Sequence, residues 1–210
     1  MKKLLLILAI VVGGAMLFSS LGAADIVNFP ITVTVPQATG VNIVAVSVLS
    51  EGNVFGTTPV TSFNFNPLSP TTSGVWLPDH YYAVDVGVTG GTGSTNITLR
   101  YIEGTRPTGQ PLDNSLGYKT TASFFSITGG PAPEDQVSTP LATSVGTKAL
   151  LINLASDVTI TPLLLNGGFF RAYIGVYPGG DATLTDGKPF TNADVPGTYT
   201  GTLRVTATVA

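Results

Sequence analysis

Thr198-Tyr199-Thr200-Gly201-Thr202-Leu203-Arg204-Val205-Thr206-Ala207-Thr208-Val209 alternates without a break. Tyr199, Leu203, Val205, Ala207 and Val209 share one side with Gly201, while the threonines and Arg204 share the other. A period of two sends successive side chains to opposite faces of a strand, so the stretch predicts a strand with one face buried. The same period recurs near the other end. Val27, Phe29, Ile31, Val33 and Val35 are apolar and Asn28, Thr32 and Thr34 polar, with Pro30 the one irregularity.

Working inward from these two ends, further strands are expected at Val41 to Leu49, Val60 to Phe65, Tyr81 to Val88, Thr95 to Glu103, Thr120 to Thr128, Ala149 to Ile160 and Phe169 to Tyr177. Valine, threonine and aromatic residues dominate them and suit a pleated, half-buried surface. Gly- and Pro-rich punctuation separates them, as in Thr89-Gly90-Gly91-Thr92-Gly93-Ser94 and Pro178-Gly179-Gly180-Asp181. Short strands of unequal length with long irregular connections, Gly104 to Gly117 and Gly129 to Val145, predict an all-β fold. The specific expectation is an immunoglobulin-like β-sandwich of antiparallel strands with an N-terminal strand extension.

Composition narrows the function. Of the 210 residues, 10% are charged, too few to coat the outer faces of a helical bundle. With no cysteine there is no disulfide, thiolate nucleophile or sulfur-based metal site, and one histidine cannot build a multi-histidine centre. Met1-Lys2-Lys3, the apolar run Leu4 to Phe18 and the small residues Gly22-Ala23-Ala24 read as a secretory signal covering 1–24. The apolar run is shorter than the ~20 residues that a membrane-crossing helix needs, so the membrane is expected to matter only during export. Removing Lys2 and Lys3 leaves 7 basic against 12 acidic residues, a net charge of −5. Nucleic acid is therefore not an expected partner. The remaining chain divides into the extension, 25–36, and one sandwich domain, 37–210.

Reactive constellations are sparse, and neither catalytic residues nor a cofactor are expected. His80 follows Asp79, but neighbours on a strand point to opposite faces, which argues against an oriented general base. Asp85 and Glu103 lie on expected strands and read as solvated acids; no spacing joins them as the paired carboxylates of a glycosidase. Asp181 and Asp186 flank a turn that could offer oxygen ligands to calcium, yet Lys188 opposes a cation there. Trp76, Tyr81 and Tyr82 could stack on a sugar in a self-contained secreted binding module, such as an adhesin or carbohydrate-binding domain, or pack as core. Both terminal strands are available for sheet pairing, either within one chain or with the first strand leaving to complete a neighbour.

The ending Pro196-Gly197-Thr198-Tyr199-Thr200-Gly201-Thr202-Leu203-Arg204-Val205 and onward resembles the last strand of bacterial fimbrial and spore-coat-U-like secreted β-sandwich subunits. Gly197 is the fourteenth residue from the C-terminal end, as in chaperone/usher pilins. Where those pilins carry a penultimate aromatic, this chain has Val209. The resemblance implies donor-strand complementation. Val27, Phe29, Ile31, Val33 and Val35 would enter a groove of the next subunit beside its last strand, formed by Tyr199, Leu203, Val205, Ala207 and Val209. It further implies an exported structural subunit of a fibre, pilus or coat at the cell surface. Its partners would be copies of itself and periplasmic assembly factors.

Overall fold

The computed structural model describes residues 31–34, 41–88, 95–127, 143–144, 148–160 and 169–209. Alternating stretches become strands throughout them: β1 (Ile31–Thr34), β2 (Val41–Leu49), β3 (Val54–Phe55), β4 (Ser62–Phe63), β5 (Leu68–Pro70), β6 (Val75–Pro78), β7 (His80–Val88), β8 (Thr95–Glu103), β9 (Thr120–Ile127), β10 (Thr143–Ser144), β11 (Ala149–Leu150), β12 (Val158–Ile160), β13 (Phe169–Val176), β14 (Phe190–Thr191) and β15 (Gly201–Val209). One short helix, α1 (Leu116–Lys119), and 3-10 turns at Leu112–Asn114 and Leu151–Leu154 interrupt them.

The strands form two main sheets and a small third one. The first has the order β12-β8-β15-β1-β4, and the second runs β10-β9-β13-β7-β2-β3, with β11 also on β9. The third is β14-β6-β5. Ile97, Leu99, Tyr101, Leu203, Val205 and Ala207 from the first sheet meet Ala45, Tyr82, Val84, Val86, Phe124, Phe170, Ala172 and Ile174 from the second in one shared core. The fold is therefore mostly β, with two sheets packed face to face, as the period-two pattern requires.

The far face of the second sheet is also covered. Val46, Val48 and Ala83 form a separate buried cluster with Val44, Phe55, Tyr81 and Tyr173 around it. Asp85, expected to be solvated, lies on this face and is 2% exposed, in a bidentate pair with the fully buried Arg171 at 2.5 and 2.6 Å. Arg171 also stacks over the Phe55 ring at 4.6 Å. A buried carboxylate is tolerable only with such a partner, which the sequence places 86 residues away.

Two further expectations are corrected. The run Ala149 to Ile160 is not one strand: Ala149–Leu150 pairs with β9, Leu151–Leu154 makes a 3-10 turn, and Val158–Ile160 pairs with β8. The segment thus crosses from one sheet to the other. Leu151 and Leu154, both buried, are three apart, the spacing of a 3-10 turn and not of a strand. The sheets are also not wholly antiparallel, because β1 runs parallel to β15. No hairpin joins those two strands, so no turn imposes an antiparallel direction.

Candidate functional site: the slot beside the last strand

Along its whole length β15 is held on one side by β8, from Gly201 opposite Glu103 to Val209 opposite Thr95. On its other side lies β1, with Ile31 beside Gly201, Thr32 beside Thr202, Val33 beside Leu203 and Thr34 beside Arg204. The far edge of β1 meets β4, Ile31 opposite Phe63 and Thr32 opposite Ser62. Ile31 is fully buried in the shared core, and Tyr199, Leu203 and Val205 of the same core are fully buried too. Ala207 is 2% exposed. Of the expected donor residues the structure thus places Ile31 and Val33 beside the last strand. Val27, Phe29 and Val35 lie outside the described residues, as does the expected signal segment.

The two walls of this slot are anchored by contacts that do not involve β1. One wall is β15 on β8, and Gly201 there lies under the Tyr101 ring: a Cβ at Gly201 would sit 2.5 Å from Cε2 of Tyr101. The other wall is β4, pinned to the second sheet through aromatic contacts and main-chain hydrogen bonds. The Phe63 ring stacks on Tyr82 at 4.4 Å, and Phe65 meets Tyr82 edge-on at 5.2 Å. The Tyr82 hydroxyl donates to the Asn64 carbonyl at 2.8 Å and accepts from its N–H at 2.9 Å. Burial pushes the Tyr82 hydroxyl pKa up, against the lowering effect of its Asn64 hydrogen bond.

His80 completes this bracket. Its Nε2 lies 2.7 Å from the Asn64 carbonyl and its Nδ1 2.6 Å from Asp79 Oδ1. The Asp79–His80 contact, argued against on strand geometry, forms because Asp79 sits in a bend before β7 and is not itself in the strand. Nε2 thereby holds the β4 wall, while Nδ1 is engaged by Asp79. The importance of Asn64, Phe63 and Tyr82 was hidden from the sequence, where only the aromatic pair Phe63 and Phe65 at i and i+2 hints at a buried strand face.

The remaining candidates separate in space. Tyr82 faces the core, Tyr81 the far face of its sheet, and Trp76 lies in the third sheet with its Nε1 donating to Asn192 Oδ1 at 2.7 Å. They form no common platform. Glu103 accepts from Ser115 Oγ at 2.8 Å and the Gly117 N–H at 3.0 Å, so it is tied to the start of α1 and lies in a different sheet from Asp85. Asp181 accepts from the Thr183 hydroxyl at 2.6 Å, its N–H at 2.9 Å and Lys148 Nζ at 2.9 Å. Those bonds hold its carboxyl well below the usual carboxylate range, the Thr183 side chain contributing most. Lys188 pairs instead with Asp113 at 2.9 Å, and Asp186 is exposed. Among the described residues no three His, Cys, Asp or Glu side chains come together as a metal site. Gly197 has φ of +142°, a backbone region that strongly favours glycine, and a Cβ there would meet Pro107 at 3.0 Å.

Comparison with protein-family models, curated proteins and solved structures gives no match to the chain.

Proposed function

We propose that the protein is an exported structural subunit of a cell-surface fibre, pilus or coat, in which the N-terminal strand of one copy fills the slot between β15 and β4 of the next. What supports this reading is the order of the long strands. In a constant-type immunoglobulin sandwich strands A, B, E and D form one sheet and C, F and G the other. Taking β2, β7, β8, β9, β13 and β15 as A to F, the second sheet reads D-E-B-A and the first reads C-F, and the place of G beside F is held by β1. The strand that completes the sandwich therefore comes from the wrong end of the sequence. It is a four-residue insert, parallel where a hairpin-linked G would be antiparallel.

The connection from β1 to β2 permits the exchange. Six residues, 35–40, separate Thr34 in the first sheet from Val41 in the second. Stretched out, such a segment reaches roughly 20 Å, about twice the ~10 Å between packed sheets. It has length to spare, and the same strand could extend away from its own sandwich. Within a single chain β1 closes its own slot; in a fibre the identical contacts would be made between copies, and repetition head to tail gives an open filament. Burial of the Ile31 side chain contributes about 1.5–3 kcal/mol in either arrangement, so what separates the two states is largely linker strain and concentration.

Negative-stain microscopy with light scattering, on protein isolated from the native surface and on protein expressed from Asp25 onward, tests this. Ordered filaments or a concentration-dependent ladder of oligomers are expected. A monodisperse monomer from both sources at every concentration would overturn the reading.

A further inference from the structure

Ahead of the last strand in the chain, an amine and a carboxylate meet in a nearly dry enclosure. Lys119, the last residue of α1, is fully buried, and its Nζ lies 2.7 Å from Oδ1 of Asp194, whose side chain is 8% exposed. The Phe190 ring lies against the amine, its centroid 4.6 Å from Nζ, and Tyr199 meets that ring edge-on at 5.3 Å. Among the described residues the amine also reaches the Pro189 carbonyl at 3.5 Å. The carboxylate is more elaborately held. Gln110 Nε2 and Asn114 Nδ2 each donate to Oδ1 at 2.9 Å, and the Thr191 N–H donates to Oδ2 at 2.8 Å. Gln110 is itself fixed, donating to the Asn114 carbonyl at 2.8 Å and accepting from the Val195 N–H at 2.9 Å.

We propose that Lys119 and Asp194 condense to an intramolecular amide, joining Nζ to Cγ, in the folded protein. A simple buried ion pair would also place the two charges in contact, but it is a weak stabiliser, since the desolvation of both charges offsets much of their attraction. The chemistry of the enclosure goes further than pairing. Burial drives the Lys119 amine below its ordinary value, against the raising effect of Asp194, and so favours the neutral, nucleophilic form. Two side-chain amides aimed at Oδ1 sit where negative charge grows as nitrogen attacks Cγ, and the Thr191 N–H faces the oxygen that departs. Both reacting groups are immobilised within contact, which removes the entropic part of the barrier.

The step balances without a co-reactant. The ammonium first passes one proton to the carboxylate, leaving a neutral amine and a carboxylic acid; Nζ then forms the C–N bond to Cγ, and its second proton joins the hydroxyl that departs as water when the C–O bond breaks. No electrons are transferred. The product ties the segment before β15, where Asp194 lies, to the start of β9 in the other sheet, closing a loop between positions 75 apart in a chain that has no cysteine. It is independent of whether β1 is exchanged, though in a fibre it would brace the strand that carries the load.

Intact-mass spectrometry of the full chain as purified folded protein, followed by peptide mapping, tests the proposal. The expected mass is lower by one water, about 18 Da, than that of the residues present. Digestion should yield a branched peptide joining the Lys119 and Asp194 segments. Lys119→Arg keeps the charge but should retain the full mass, and because mass is read on denatured protein this control holds even if the variant is unstable. An intact wild-type mass with no water missing, or a water loss that maps to any other pair of residues, would overturn it.

Discussion

The two flanks of β15 are built differently. On the β8 side nine consecutive pairs run antiparallel, Gly201 to Val209 against Glu103 to Thr95, and the ladder is extended by the Gly104 N–H to the Thr200 carbonyl at 2.9 Å. On the β1 side four pairs run parallel, and the strand beyond, β4, is fastened to the other sheet through Tyr82 and His80. The first flank is a long ladder made inside the domain. The second is a socket whose walls stand on contacts of their own, filled by a four-residue strand. The lesson is that permanence in a sheet depends on what holds the walls as well as on the strand between them. A strand whose removal leaves both walls supported is one that can be exchanged.

The largest effect should come from spoiling the insert. Ile31→Asp would put a carboxylate at a fully buried position in the hydrophobic core, costing on the order of 4 kcal/mol in denaturant unfolding. It should also abolish oligomers; oligomers at wild-type level would show that β1 is not the element exchanged. Arg171→Met tests the comparison from outside it. Leaving Asp85 buried and unpaired should cost about 3–5 kcal/mol in monomer stability, while the partition of β1 between its own slot and a neighbour's stays as in wild type. A changed partition would mean that the far face of the second sheet participates in assembly.

Gly201→Ala attacks the β8 flank at its junction with β1. The added methyl would meet the Tyr101 ring, which is 1% exposed and has little room to move, for a cost of about 1–3 kcal/mol. Since Ile31 lies beside Gly201, β1 binding should weaken with it, measurable as reduced oligomer at equal concentration. The gentlest perturbation is alkaline pH. Burial pushes the Tyr101 and Tyr199 hydroxyls far above the ordinary value of 10.0, with Glu103 adding to the rise at Tyr101. The folded state then keeps protons that the unfolded chain loses, so this stability is fully present below pH 10 and declines as pH rises beyond it. Thermal melts should be flat near neutrality and fall above pH 10, and Tyr101→Phe should shallow that fall.

Much of this frame is legible in the residues because it rests on local pattern. The ranges Val41–Leu49 and Thr95–Glu103 emerge from alternation and Gly/Pro boundaries as they stand in the structure, and Thr120–Ile127 and Phe169–Val176 end within one residue of expectation. What alternation cannot convey is partnership. It puts Asp85 on the face shared by Tyr81 and Ala83 but is silent on whether that face is covered, which depends on Phe55, Phe169 and Arg171 arriving from elsewhere. Asp194, which pairs with Lys119, is held by Gln110 and Asn114 from a connection that reads as irregular. Continuous apolar runs such as Leu150-Leu151-Ile152 carry no period to distinguish strand from 3-10 turn, hence the missed crossing between sheets. The groove face of the last strand is legible in its alternation; that β4, inside the expected run Val60 to Phe65, forms the opposite wall is not.

A cysteine pair decides most directly whether β1 is exchanged. Thr32 and Thr202 are neighbours across the β1–β15 junction, and the natural chain has no cysteine to interfere. Thr32→Cys combined with Thr202→Cys, oxidised after assembly at the native surface and run on a denaturing gel without reductant, reports whether the strand beside each β15 belongs to the same chain. The account predicts a ladder of covalent dimers, trimers and longer species that collapses on reduction. Oxidised protein that runs solely as a monomer, with the disulfide mapped within one chain, would contradict it.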